Sequence, residues 1–483
     1  PATKVKMKEA LMRKTFTLTA ALFVMGCGSS EFNGNFPNNP IPLAAPTAVP
    51  DFFSTPGNSQ LSASVTANDT LNGATVSQFQ NPSTSGGTVA ITGNGALTYT
   101  PPNGAANLSD TFTYTVSNQA GTSTATVTVQ VGPLGLFVKN DAPGGGNGSQ
   151  ASPFNTLAAA QAAAVGVPAA EIIIFRGDGS STGQAGPVTL LANQTLRAQD
   201  PANPPLLTGP ITLATNTTLS DLRLNGSGGV IANGIGGFTM RNCTVSNTTG
   251  DGLALTNLTG NVTLSGNQLL QNGGRGLALQ ANSGLLGMAL SNNTISLSTT
   301  EGIFANVTGT SNVTWTETGT RILDAGTNPF GNSWNLFSRN TGAFNATMTG
   351  CLSDGASRFG LEMQSFDASN TTLVFDQGIV RNGADRGIAL GALGNSTFKA
   401  RVSNTQTHQN LPGFGFEAGN GDFALMCLRL VGVNSDVYRL GNNNPTAPFN
   451  IENFVNFGTE NTGTVDVLGG TINNVAIGSC GIP

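Results

Sequence analysis

Charge is scarce in this chain. Asp, Glu, Lys and Arg make up 9% of its 483 residues, and there is a single histidine, His408. The net charge of −5 and the pI of about 4.9 argue against a nucleic-acid partner, which would require a basic stripe. Five cysteines occur, at Cys27, Cys243, Cys351, Cys427 and Cys480, with no Cys-x-x-Cys pair and no His–Cys cluster, so a structural zinc site is not supported. No Gly-x-Ser-x-Gly is present, and His408, in the polar run Thr405 to Asn410, reads as a solvated turn histidine rather than a general base. Nor does any apolar run reach the roughly 20 residues that a membrane-spanning helix needs.

What is abundant is glycine, at 64 residues, and much of it recurs in phase. A Gly followed by alternating apolar residues returns at Gly252-Leu-Ala-Leu255, Gly276-Leu-Ala-Leu279, Gly302-Ile-Phe-Ala305, Gly360-Leu-Glu-Met363, Gly387-Ile-Ala-Leu390 and Gly415-Phe-Glu-Ala418. Neighbouring copies lie 24 to 28 residues apart, and the gap from 302 to 360 holds two coils of 29. A period of that size predicts a solenoid. Within each period the alternation has step two, as in Val262-Thr-Leu264 and Ile295-Ser-Leu297, so each coil adds one strand to each of two or three parallel sheets.

Small polar turns align between coils: Met240-Arg-Asn-Cys243, Leu264-Ser-Gly-Asn267, Leu290-Ser-Asn-Asn293, Met348-Thr-Gly-Cys351, Phe375-Asp-Gln-Gly378 and Val402-Ser-Asn-Thr405. Asn and Gly tolerate positive φ there, and stacked amides can hydrogen-bond up the axis. On these residues the stretch resembles the right-handed parallel β-helix of the pectate-lyase-like superfamily. Its entry is similar too: Phe137 to Asp141, a Gly-rich patch, Ser152-Pro-Phe-Asn-Thr-Leu157, the Ala-rich run from Ala158 to Ala164 and Glu171 to Gly177 resemble that superfamily's opening strand, capping helix and first coil. Asn155 or Thr156 is the expected N-cap. The expected solenoid runs over 134–483. The resemblance implies a fold and leaves the function open, because the superfamily holds lyases, hydrolases, epimerases, adhesins and phage tailspikes.

Ahead of it, residues 49–132 alternate at short spacing, as in Thr111-Phe-Thr-Tyr-Thr-Val116 and Thr124 to Val131, which predicts a small β-sandwich. Asn68-Asp69, Gly93 to Pro101 and Asp110 to Ser117 resemble bacterial cadherin-like or Ig-like modules. Asp69 and Asp110 read as turn residues, with Ca²⁺ as the alternative. The segment Met12 to Cys27 has a basic start, an apolar stretch of about ten residues and a small residue before cysteine. It resembles a bacterial lipoprotein signal with Cys27 as the lipidated residue. Val24 and Met25 depart from the usual lipobox, and an ordinary secretory signal is the alternative. Residues 28–48 read as a flexible tether. The expected product is exported and held at the outer membrane or cell surface by a lipid anchor.

Departures from the repeat mark candidate sites. Cys243 and Cys351 fill the Asn slot about four coils apart, roughly 19 Å at the usual strand spacing and too far to bridge. A Cys427–Cys480 bridge could staple the terminal coils. Asp251, Arg275 and Glu301 each precede the repeating Gly and should stack as a charge ladder. Glu362 and Glu417 occupy the outward slot where other coils carry Ala254, Ala278 or Ala389, two coils and about 9.6 Å apart. Asp385 and Arg386 lie in the coil between and could complete a catalytic cleft. Trp315, Trp334 and Phe330, with Phe337 and Phe344 nearby, crowd the longest coils, where they are either a projecting sugar-binding platform or interior packing. The Asn-Thr-Asp and Arg-x-Lys motifs of polygalacturonases with this fold are absent, as are the acidic clusters of Ca²⁺-dependent lyases. The expectation is therefore a non-catalytic binder of a polysaccharide or cell-surface glycan, with a lyase or glycoside hydrolase as the alternative and no cofactor required.

Overall fold

The computed structural model describes residues 43–482 apart from 168, 176–183, 227, 327, 330, 411–413 and 445. Cys27 with its signal-like segment, most of the tether, and Phe330 lie outside the described residues.

Residues from Asp51 onward first form a β-sandwich. One layer contains Asp51–Gly57, Thr75–Phe79, Leu108–Asn118 and the start of Gly121–Val138, and the other contains Leu61–Ser64, Thr88–Ile91 and Ala96–Thr100. Period-two alternation turns Tyr99, Phe112, Tyr114, Val127 and Val129 inward, each almost fully buried. The Asp110 carboxylate accepts from the Tyr99 hydroxyl at 2.6 Å, the Ser83 hydroxyl and the Ser85 and Thr111 N–H groups. Asp69 accepts from Val49 N–H at 2.8 Å and from the Tyr114 hydroxyl at 2.9 Å. Both carboxylates pin turns and tyrosines.

No linker follows. The strand Gly121–Val138 continues out of the sandwich and pairs in parallel with Glu171–Ile174, Gly135 facing Glu171, so one strand belongs to both layers of organisation. The helix Leu157–Ala164, whose N-cap Thr156 hydroxyl accepts the Ala159 N–H at 3.2 Å, packs over this open end and shields the first coil.

From there the chain winds through about 11 turns of three parallel sheets. Each coil supplies a long strand to the first sheet, such as Asn312–Thr318, Ala343–Thr349, Asn370–Asp376 and Thr397–Ser403. It then gives a short strand to the second, such as Arg321–Leu323, and a strand to the third, such as Ile303–Val307, Trp334–Ser338, Leu361–Ser365, Arg386–Ala392 and Phe414–Asn420. The recurring Gly opens the third-sheet strand because a side chain has no room there. A Cβ on Gly360 would lie 2.0 Å from Val380 Cγ1, and one on Gly276 2.3 Å from Ile295 Cγ2. The polar turn is equally constrained, with Asn242, Asn292 and Asn404 at φ of 50° to 52°. One residue on, buried amides stack: Asn267 Nδ2 donates to Asn293 Oδ1 at 3.1 Å, and Asn267 Oδ1 accepts the Cys243 N–H at 3.0 Å. Cys243 and Cys351 are buried free thiols in that slot.

Inside the tube the largest apolar side chains fill the core, with Phe344, Phe375, Phe398, Phe416 and Phe449 all buried. Each such ring contributes roughly 1.5–3 kcal/mol by leaving water. At the far end a Cys427–Cys480 disulfide, Cα atoms 5.8 Å apart, fixes the segment around Cys480 to the first sheet.

Candidate functional site

The outward residues of the third sheet form two files. Strand register aligns Phe304, Asn335, Glu362, Ala389, Glu417 and Arg439 in one, and Asn306, Phe337, Gln364, Gly391, Gly419 and Gly441 in the other. Where the files shrink to Ala389, Gly391 and Gly419, a cleft of about 230 Å³ opens, bounded by Arg358, Phe359 and Arg386 on one side and by Leu393 and Asn443 on the other. Glu362 and Glu417 stand at either end of this small-residue floor, two strand spacings or about 9.6 Å apart.

Glu362 is sunk into the cleft wall, 5% exposed. Asn332 Nδ2 donates to its Oε2 at 2.7 Å, Gln364 Nε2 donates to its Oε1 at 2.6 Å, and Arg358 Nη1 lies 3.9 Å from Oε2. Burial pushes this carboxyl up, against the opposing pull of Asn332, Arg358 and Arg386. Glu417 is more open and forms an ion pair with Arg386 Nε, whose Nη1 lies 3.3 Å from Asp385. Arg358 and Arg386 both lie over the Phe359 ring, at 4.1 and 5.2 Å from its centre, and so the two guanidinium groups are held in place. Glu362, Glu417 and Arg386 thus converge on one cleft, while Asp385 orients Arg386 from outside the lining.

The tryptophans do not form a sugar platform. Trp315 and Trp334 are 0% exposed and point into the tube, because each sits at an inward position of its strand. Both indole N–H groups donate to Glu317, at 2.8 Å from Trp315 and 3.2 Å from Trp334. Glu317 occupies the inward register of Leu290 and Met348, is itself 0% exposed, and burial raises its carboxyl to about 7. On the third-sheet face, Phe304, Phe337 and Phe366 face outward, with successive ring centres 6.1 and 5.9 Å apart. Arg275 lies over Phe304 at 4.2 Å and Arg339 over Phe366 at 4.3 Å. Through Phe337, beside Gln364, this strip reaches the edge of the cleft.

The charge ladder is present upstream on the same face, with Arg275 3.7 Å from Asp251 and 3.2 Å from Glu301. His408 ends the short strand Gln406–His408 opposite Arg381 and does not line the cleft. Sequence reasoning missed Arg358 and Asn332, which come from turns, and Gln364, which holds the outward third-sheet slot taken by Phe337 and Gly391 in the neighbouring coils. It also missed Glu317, whose signal was a carboxylate in an apolar slot.

Comparison with known proteins agrees with this architecture. Residues 44–130 match the family described as bacterial Ig domain, and residues 211–318 match the family described as right handed beta helix region. No curated protein matches the chain. Among solved structures, it is similar to the catalytic unit of a thermostable GH87 alpha-1,3-glucanase from Streptomyces thermodiastaticus strain HF3-3. The identity is 15% and the TM-score 0.40, over 81% of this chain and 77% of that one. The chain is an all-β protein with a right-handed parallel β-helix preceded by an Ig-like β-sandwich.

Proposed function

We propose that this is an exported, surface-anchored β-helix protein that binds a polysaccharide or cell-surface glycan in the third-sheet cleft. The observation that carries the reading is the convergence of Glu362, Arg386 and Glu417, from three successive third-sheet strands, around a floor of Ala389, Gly391 and Gly419. A floor of one methyl group and bare backbone leaves room for a sugar ring, and the flanking carboxylates and guanidinium groups offer fixed acceptors and donors to its hydroxyls. Recognition without turnover is the reading we favour for these groups. Each Glu362 oxygen already accepts one amide hydrogen bond and Glu417 is paired with Arg386, so both carboxylates are held as fixed acceptors with lone pairs left for sugar hydroxyls. Lipidation of Cys27 and the tether of residues 28–48 would hold the cleft away from a membrane. Labelling with a radioactive fatty acid should mark the wild-type chain and leave Cys27→Ala unlabelled.

A second reading, an inverting glycoside hydrolase, is favoured by one specific observation. Glu362 is a buried carboxyl with a raised pKa, set about 9.6 Å in strand register from a more exposed one, near the roughly 6.5–9.5 Å of inverting pairs. Incubation with uronate-containing and neutral polysaccharides, following reducing ends and unsaturated products, separates the two. Binding without new ends supports the binder. Cleavage that disappears in Glu362→Gln or Glu417→Gln overturns it.

A further inference from the structure

The first sheet carries a second groove, of about 410 Å³, on a different sheet from the Glu362 cleft. Its floor is a file of outward residues in register, Asn345, Thr372 and Lys399, with Thr347 and Val374 beside them. The next residue in that file is Cys427, and there the groove stops. Cys427 is bonded to Cys480, the Cys480 N–H donates to Glu452 Oε1 at 2.8 Å, and the tail is thereby laid across the sheet. Gly481 lines the groove, and a Cβ on it would lie 3.6 Å from Lys399 Nζ.

Three features of this groove point to a ligand. Its floor offers neutral hydroxyl and amide groups around the apolar Val374, the mixture that suits a hydroxylated ring. Its one charge is Lys399, which has no carboxylate within ion-pair distance among the described residues, whereas Arg275, Arg358 and Arg386 on the other face are each paired. Its closed end is held by a covalent bond, so an extended chain entering from the Asn345 side must terminate at Lys399. We propose that this groove is a second carbohydrate site, which takes the end of a sugar chain bearing an anionic group, with Lys399 meeting the anion and the disulfide-pinned tail forming the stop.

This site is independent of the third-sheet cleft, and titration calorimetry can separate them. The probes are a uronate tetrasaccharide, a sulfated tetrasaccharide and a neutral tetrasaccharide, each added to the chain carrying Arg386→Ala/Glu417→Gln, which silences the third-sheet cleft, and to that chain with Lys399→Met, Lys399→Arg or Cys427→Ser/Cys480→Ser added. At least one anionic probe should bind, and the neutral one about tenfold more weakly, as expected for loss of one charge-assisted hydrogen bond. Lys399→Met should remove that tenfold preference and Lys399→Arg should keep it. Whichever anionic probe binds better identifies a carboxylate or a sulfate ester as the group met. Opening the end wall by the double cysteine substitution should weaken the anionic probe. The proposal is overturned if no anionic probe binds to the chain whose third-sheet cleft is silenced, or if adding Lys399→Met leaves the preference for the anionic probe intact.

Discussion

Two buried glutamates on nearby coils show how differently this tube treats its inside and its outside. Glu317 faces inward on the first sheet and meets both tryptophans of the chain, with no route to solvent. Glu362 faces outward on the third sheet and meets Asn332, Gln364 and Arg358 at the wall of an open cleft. Burial raises both carboxyls, so a raised pKa alone does not mark the site. What separates them is the shell. Indoles close a core position, whereas amides and guanidinium groups leave polar atoms for a ligand.

The comparison can be broken most forcefully at the core. Trp334→Ala should cost about 4 kcal/mol of stability by cavity formation and loss of a donor to Glu317, measured by denaturant unfolding. Glycan affinity of the folded fraction should be unchanged, and a loss of affinity without a loss of stability would return Trp334 to the surface.

The next largest effect is a pH dependence. The folded chain holds Glu317 at about 7 against an ordinary 4.5, so the protonated form is the one the fold favours. Its contribution is fully present below 4.5 and is lost as pH rises through about 7. The difference is roughly 3 kcal/mol at 1.36 kcal/mol per pKa unit. Unfolding midpoints between pH 4.5 and pH 8 should fall accordingly, the indole fluorescence should change over the same interval, and Glu317→Gln should flatten both.

Gly276→Val should cost about 2 kcal/mol, because its side chain would meet Ile295 and the Gly302 carbonyl. Thermal unfolding checks this, and an unchanged midpoint would mean that the recurring glycine is not sterically required. Smallest in energy is Arg386→Ala, which should weaken glycan binding in the third-sheet cleft about tenfold, or 1.4 kcal/mol, with little change in melting.

Much of the fold could be read from sequence because the solenoid repeats its constraints. The glycines that open most third-sheet strands, the Asn turns and the step-two alternation are all visible, since most coils solve the same steric problem. The candidate cleft was legible only in its floor file, where Glu362 and Glu417 take the slot that Ala254, Ala278 and Ala389 hold in other coils. Its flanking groups were not, because Asn332, Arg358 and Leu393 come from turns whose length varies between coils. The tryptophans left two readings open for a related reason. Periodicity places Trp315 at an inward step, but the inward neighbour Glu317 breaks the apolar pattern and hides the phase. The Ig-like strand Gly121–Val138 extends directly into the first sheet of the solenoid, a continuity that composition does not reveal.

One titration tests the third-sheet cleft directly. Oligosaccharides of neutral and uronate type are added to Lys399→Met, which lacks the cation of the first-sheet groove, and to the same chain carrying Arg386→Ala/Glu417→Gln, with the spent solution assayed for reducing ends. Saturable binding to Lys399→Met is expected, lost when the two cleft substitutions are added, with no new reducing ends in either. Equal binding by both proteins, or reducing ends that accumulate with Lys399→Met and not with the cleft variant, would contradict glycan recognition in the cleft.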